Sequence, residues 1–196
     1  MTVILDYGMG NLRSVERALR ALGADPAIQT DLRGATRLII PGVGAFGAAM
    51  ERIGPLAPAI REFAAAGHPV LGICLGMQLL FEQSEELGEF AGLGLVPGQV
   101  RYLVKTEGIK IPHMGWNQLE IRQSEGLHSG ISTSEQVYFV HSLYCDPVDS
   151  AVIASTSDHG ITFPATIQKG KIWGTQFHPE KSGAPGLRML QNFLSC

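Results

Sequence analysis

The chain has 196 residues, 45% of them hydrophobic and only 17% charged, with a formal net charge of −3. That is enough for one domain, residues 1–196, with a real core; with no Lys/Arg cluster to meet a phosphate backbone, nucleic acid is excluded as a partner. No apolar run approaches the ~20 residues of a membrane span and the start lacks the basic flank of a secretory leader, so no membrane association and a cytoplasmic location are expected.

Charge this sparse, with 24 glycines and 11 prolines, suggests many tight turns and a surface partly covered by something else, a partner subunit being one candidate. The 3 cysteines, Cys74, Cys145 and Cys196, are an odd set without C-x-x-C spacing, which argues against a disulfide framework or a structural zinc site. No metal and no cofactor is expected.

In chain order, "TVILD" (2–6) predicts a strand, and Leu12, Val15, Leu19 and Leu22 predict an amphipathic helix with Asn11 as its N-cap. "RLIIP" (37–41) and "PVLGI" (69–73) predict two more strands, the region between them broken into short helical pieces by Gly54, Pro55 and Pro58. "LGMQLLFEQ" (75–83) reads as helical. The second half is strand-like in "GQVRYLV", "WNQLEI", "QVYFVHSLYC", "AVIAST" and "ATIQKGKIWGTQF", with a hairpin turn at Lys169-Gly170, and closes on a helix carrying Leu187, Leu190, Phe193 and Leu194. This order predicts an α/β fold whose mainly parallel sheet is extended by antiparallel strands.

Gly72-Ile73-Cys74-Leu75-Gly76 has the form G-x-C-x-G, the thiol counterpart of the serine nucleophile elbow. Flanking glycines permit a tight strand-to-helix turn that pushes the sulfur out at the carboxyl end of a strand. A helix N-terminus there favours the thiolate. Read alone, Cys74 is as well explained as a small buried hydrophobe. A nucleophile needs a base and the base an orienting group, and "FHPEK" supplies His178 and Glu180. In an extended segment held by Pro179, residues i and i+2 face the same way, so Glu180 can steady the imidazole. His68 precedes a proline in a loop, His128 and His159 sit in polar turns, His113 has no paired acid nearby, and strand-borne His141 reads as pocket wall.

"PGVGAFG" (41–47) contains a literal G-x-G-x-x-G, with Glu62 at the offset a dinucleotide fingerprint wants. Pro41 and the Gly54-Pro55 break speak against a cofactor there. If Cys74 attacks a carbonyl, the oxyanion needs two N–H donors, and Leu75 together with the Gly42-Val43-Gly44 segment fits.

With these residues assembled, the chain resembles the triad-type (class I) glutamine amidotransferases, whose marks "GICLGMQLL" and "FHPE" are intact. The resemblance spans essentially the whole chain and implies a flavodoxin-like three-layer sandwich. Within the family, "LDYGMGNLRSV", "PGVGAFG" and "IPHMGWNQL" look like the glutaminase branch that serves imidazole glycerol phosphate synthesis in histidine biosynthesis. The resemblance implies that Cys74 attacks L-glutamine, that His178 moves the protons, and that Gln78, Glu86, Tyr138, His141, Ser142 and Leu143 surround the substrate. A solvated helix face explains Glu85 and Glu86 equally well. It also implies a (βα)₈-barrel cyclase partner that consumes the ammonia, with Asn11, Trp116, Asn117 and Lys181 at the interface. The alternatives, Trp116 as ordinary core and Lys181 as an ordinary exposed charge, are the less favoured readings. The 42–44 peptide is the implied switch by which the partner's nucleotide activates the site.

Two other classes remain on the residues alone. A stand-alone cysteine hydrolase on the same fold needs no partner, and a dinucleotide-binding module built on "GVGAFG" survives loss of Cys74. Intact "HPE" beside "GICLG" favours the amidotransferase.

Overall fold

The computed structural model describes residues 1–196. Its first half runs β1 (Thr2–Leu5), α1 (Leu12–Ala21), β2 (Ala27–Gln29), β3 (Arg37–Gly42), α2 (Phe46–Ile53), α3 (Ala57–Ala65), β4 (Val70–Cys74) and α4 (Leu75–Leu79). The second half adds β5 (Phe81–Ser84), β6 (Phe90–Ala91), β7 (Val96–Tyr102), β8 (His113–Gln118), β9 (Glu120–Ile121), β10 (Gln136–His141), β11 (Leu143–Pro147), β12 (Ile153–Asp158), β13 (Thr162–Lys169), β14 (Ile172–Thr175) and α5 (Gly183–Leu194).

The main sheet has 8 strands in the order β2-β1-β3-β4-β14-β13-β12-β9. Pairing is parallel from β2 to β14 and antiparallel from β14 to β9, as the sequence predicts. Alternation along the strands explains the layers: Val3, Leu5, Leu38 and Ile40 pack with Phe46, Ala49, Ile53 and Ile60 of α2 and α3. Their neighbours Ile4, Ile39, Leu71 and Ile73 pack with Val15, Leu19, Leu190 and Phe193 of α1 and α5 on the opposite face. Strands buried on both faces are what a sandwiched parallel sheet requires, each large side chain contributing about 1.5–3 kcal/mol. A third cluster, including Phe139, Phe163, Phe177 and Met189, supports the β8–β10 pair.

The Asn11 side chain accepts from the Ser14 N–H at 3.3 Å, capping α1 as expected. The break after residue 53 is a 3₁₀ turn at Gly54–Leu56, and Gly170, at φ 57°, makes the β13–β14 hairpin turn.

Three expectations differ, the first being "WNQLEI", which breaks at Leu119 into β8 and β9 of separate sheets. The helix after Cys74 ends at Leu79, and "FEQS" is strand β5, paired in parallel with β7. A short apolar run does not distinguish strand from helix, and here the paired strand prevails. "QVYFVHSLYC" breaks at Ser142 into β10 and β11, which belong to separate sheets.

Candidate active site

β3 and β4 lie side by side in parallel, with Gly42 opposite Cys74 at their carboxyl ends. Cys74 is both the last residue of β4 and the N-cap of α4, at φ 55° and ψ −111°. Such a conformation is strained for a residue with a side chain and persists only when its surroundings enforce it. The enforcement comes from the two flanking glycines. A side chain at Gly72 would meet the Gly76 carbonyl, and one at Gly76 would run into the Ile40 carbonyl of β3. The glycines thus serve close backbone packing, while the strain sits on the cysteine itself. The sulfur lies 3.8 Å from the Val140 carbonyl oxygen, and the Gln176 side-chain N–H points to it at 3.9 Å.

His178 lies three residues beyond the end of β14. Its backbone is held twice: its N–H donates to the Tyr138 carbonyl at 3.0 Å, and its carbonyl accepts from the Ser182 hydroxyl at 2.6 Å. The same hydroxyl accepts from the Tyr138 N–H at 3.0 Å. The imidazole Nδ1 is 2.8 Å from Glu180 Oε1, both side chains almost fully buried. The pairing does not arise from an extended segment: Pro179 opens a 3₁₀ turn, Pro179–Lys181, which folds Glu180 back beneath the ring. A carboxylate only accepts, so Nδ1 carries the hydrogen, and Nε2 has no protein partner. Burial disfavours charge on His178, but the Cys74 sulfur and the Glu180 carboxylate outweigh it and raise the imidazole to about 9. Both neighbours therefore favour the imidazolium.

Cys74 and His178 share a cavity of about 300 Å³, with Val43, Gly44, Leu75, Gln78, Glu86, Pro112, Val140, His141, Ser142 and Leu143 around them. The pocket therefore collects most of the predicted site. Gln78, buried, donates from Nε2 to the Leu143 carbonyl at 3.4 Å and to Gln176 Oε1 at 3.2 Å. Glu86 belongs to no helix; its carboxylate accepts the Phe46 N–H, so the solvated-helix explanation fails for it. Glu85 is exposed and accepts the Tyr102 N–H at 2.8 Å. His141 is buried, and burial first, then the nearby His113, His159 and His178, hold it down to about 3 although its bond to Leu143 opposes this. His141 thus lines the cavity as a neutral imidazole.

Three predicted residues fall outside the cavity lining: Glu180, which reaches the site only through His178 Nδ1, and Gly42 and Tyr138. Gly42 is packing: a side chain there would meet the Tyr7 hydroxyl, the Gly76 nitrogen and Leu75. Tyr138 turns its ring edge-on to Trp116, centroids 6.1 Å apart, and meets the site only through its backbone bonds to His178 and Ser182. The dinucleotide alternative also lapses. The helix after "GVGAFG" stops at Ile53, Gly47 is packed against the Phe90 ring, and Glu62 is exposed on α3.

Of the predicted interface residues, Asn11 and Lys181 are exposed, and Trp116 is 55% exposed, so it is not core. Asn117 is turned inward, donating to the Asp158 carbonyl at 2.7 Å and to His113 Nε2 at 3.2 Å.

Three residues at the site escaped the sequence reading. Gln176 and Ser182 lie inside or beside "TQFHPEKS", and their nearness to His178 was the available signal. Tyr7, whose hydroxyl donates to the Pro41 carbonyl at 2.7 Å, is pushed above the usual phenol range by burial and then by Cys74. Nothing in its sequence context announces this.

The profile of the family described as glutamine amidotransferase class-I matches residues 3–196. A protein of Moorella thermoacetica named imidazole glycerol phosphate synthase subunit HisH is 49% identical, the match covering 97% of this chain and 92% of that protein. One of the same name from Methanosarcina acetivorans is 49% identical over 98% of this chain and 96% of that protein. Among solved structures, one described as a glutamine amidotransferase superposes with a TM-score of 0.76 at 23% identity, covering 99% of this chain and 97% of that one. PurLQS from Thermotoga maritima superposes at 0.77 and 19% identity, covering 99% and 96%. At those identities the two structures establish the fold.

Proposed function

The chain belongs to the class-I glutamine amidotransferases, and from that premise we propose that it is the glutaminase subunit of an imidazole glycerol phosphate synthase, releasing ammonia from L-glutamine through a Cys74 thioester. One observation carries the chemistry: a cysteine at a strained elbow shares a cavity with an imidazole whose Nδ1 is held by a buried carboxylate and whose Nε2 is free of protein partners. Cysteine, base and orienting acid in that order are the parts of nucleophilic acyl transfer.

In this reading glutamine enters with its ammonium toward Glu86 and its carboxylate toward the backbone at Ser142 and Leu143, bringing its side-chain amide to Cys74. The thiolate forms a bond to the amide carbon and the carbonyl electron pair moves onto oxygen. Leu75 N–H and an N–H of the Val43–Gly44 segment receive that charge, each such donor being worth about 10²- to 10³-fold in rate. Collapse breaks the C–N bond, and His178 Nε2–H supplies the proton with which nitrogen leaves as ammonia. Neutral His178 then takes a proton from water as its oxygen attacks the thioester. Sulfur departs as thiolate, leaving glutamate and an imidazolium. Atoms balance as glutamine plus water giving glutamate plus ammonia. Glu180 orients the ring and stabilises its charge.

Ammonia needs an acceptor enzyme. The names of the relatives identify them as synthase subunits, which supports a cyclase partner. We assign it as a (βα)₈ barrel docking over the face that carries Trp116, Asn11 and Lys181. The test is glutamate release from glutamine by the purified chain, alone and with the matching cyclase and its nucleotide. Strong stimulation, abolished by Cys74→Ala, is expected; activity that survives the substitution overturns the nucleophile assignment, and activity indifferent to the cyclase overturns the partner.

A further inference from the structure

His141 Nδ1 lies 2.7 Å from the Leu143 carbonyl oxygen. A carbonyl only accepts, so Nδ1 carries the hydrogen and Nε2 of the neutral ring is an acceptor. His113 Nδ1 sits 2.9 Å from that Nε2 and must donate, which leaves His113 Nε2 as an acceptor. The Asn117 Nδ2 donates to it at 3.2 Å and spends its other hydrogen on the Asp158 carbonyl at 2.7 Å. The orientation of the amide is fixed in turn, because Asn117 Oδ1 accepts the Gln118 N–H at 2.8 Å. Each polar atom in the row has one permitted role. Reversing any member sets two donors or two acceptors against each other.

The fold builds this row deliberately. His113 and His141 are directly opposed in the antiparallel β8–β10 pair, and His113 is sandwiched between Phe139 at 4.7 Å and His159 at 4.1 Å. Burial first, and then His159, hold His113 down to about 4, so it stays neutral beside the neutral His141. At the far end, the Leu143 carbonyl also accepts from Gln78, which bonds Gln176 beside the Cys74 sulfur. Leu143 and Ser142 line the cavity, whereas His113 and Asn117 do not.

We propose that Asn117, His113 and His141 form a one-way hydrogen-bond chain that fixes the Leu143 carbonyl and, through it, the Ser142–Leu143 wall against which glutamine binds. His113 and Asn117 are thereby positioning residues for substrate, acting from β8 without touching the ligand. This rests on the glutaminase reading, and it assigns to Asn117 an inward role in place of a direct interface contact.

Two measurements test it. In the full chain with ¹⁵N-labelled histidine, NMR of the ring nitrogens at neutral pH is expected to show both His113 and His141 neutral and protonated on Nδ1; either ring protonated on Nε2 overturns the chain. In the complex with the cyclase and its nucleotide, His113→Phe keeps the ring and its stacking but removes both hydrogen bonds. Its KM for glutamine is expected to rise about tenfold with kcat within about threefold. An unchanged KM, or a loss confined to kcat, overturns the positioning role. Asn117→Asp, which removes the donor at nearly constant shape, serves if His113→Phe fails to fold, and is expected to raise KM while moving the His113 proton toward Nε2. A wild-type complex that releases no glutamate overturns the glutaminase reading, and with it the positioning of substrate; the NMR result still decides the hydrogen-bond chain.

Discussion

His178 and Glu180 meet across a 3₁₀ turn, Nδ1 to Oε1 at 2.8 Å, with the side chains 3% and 1% exposed. The carboxylate fixes the tautomer and helps hold the imidazole at about 9. Glu180→Gln keeps the size and loses the charge. Glutaminase activity is expected to fall about 10²- to 10⁴-fold, the range for losing an orienting acid or an acid–base step. The alkaline limb of the pH–rate profile, which reports loss of the imidazolium, is expected to move down from about 9 toward the ordinary histidine range. A limb that stays in place would mean that the carboxylate does not set the proton affinity of the ring.

Ser182 closes a small loop of hydrogen bonds between β10 and the turn after β14: its hydroxyl donates to His178 and accepts from Tyr138. Ser182→Ala leaves two buried backbone groups each short of one partner, expected to cost about 1–3 kcal/mol of stability in urea unfolding. Because His178 is the residue released, glutaminase activity is expected to drop by about tenfold even where the protein remains folded.

Gly76→Ala drives a methyl group into the Ile40 carbonyl, a backbone atom that cannot rotate away. The expected result is destabilisation of about 3 kcal/mol or more, or failure to fold, read by denaturant titration. Gly170→Ala, with open space around it, is strained only by its φ of 57° and is expected to cost about 1 kcal/mol.

His128 is buried in the core, its Nε2 3.2 Å from the Thr166 hydroxyl, and burial holds it down to about 4. A depressed histidine means that, between its unfolded value near 6.5 and about 4, the unfolded chain binds a proton that the native state refuses. Stability therefore falls as pH falls through that window, by about 3 kcal/mol for this group. In His128→Gln the acid limb of a plot of Tm against pH is expected to flatten by that amount. His113 and His141 are also depressed by burial, so a residual slope is expected in the variant.

That Cys74, His178 and Glu180 come together was legible because each belongs to a contiguous motif, and the proposed chemistry asks for all three. The parallel-to-antiparallel sheet was legible from the order of apolar runs. What escaped depends on register and distance. His113 and His141 are 28 positions apart and meet only because β8 pairs with β10 in one particular register. Gly42 was read with the 42–44 N–H segment and Tyr138 with the residues after it, but only Val43 and Gly44 of that segment line the cavity, and the Tyr138 ring stands against Trp116. Strand β5 was lost to a helical reading because a short apolar run cannot say whether a neighbouring strand waits to pair with it.

The chain has 2 tryptophans in opposite settings, Trp173 buried at 4% exposure and Trp116 open at 55%. Trp173 packs edge-on to Phe193 in the core, while Trp116 stands on the outer face of β8 against Tyr138. Soluble quenchers such as iodide thus reach one indole and not the other, and the long-wavelength part of the emission belongs to Trp116. A subunit seated on that face would shift this emission to shorter wavelength and shield it from quenching, so association could be followed optically without attaching a dye.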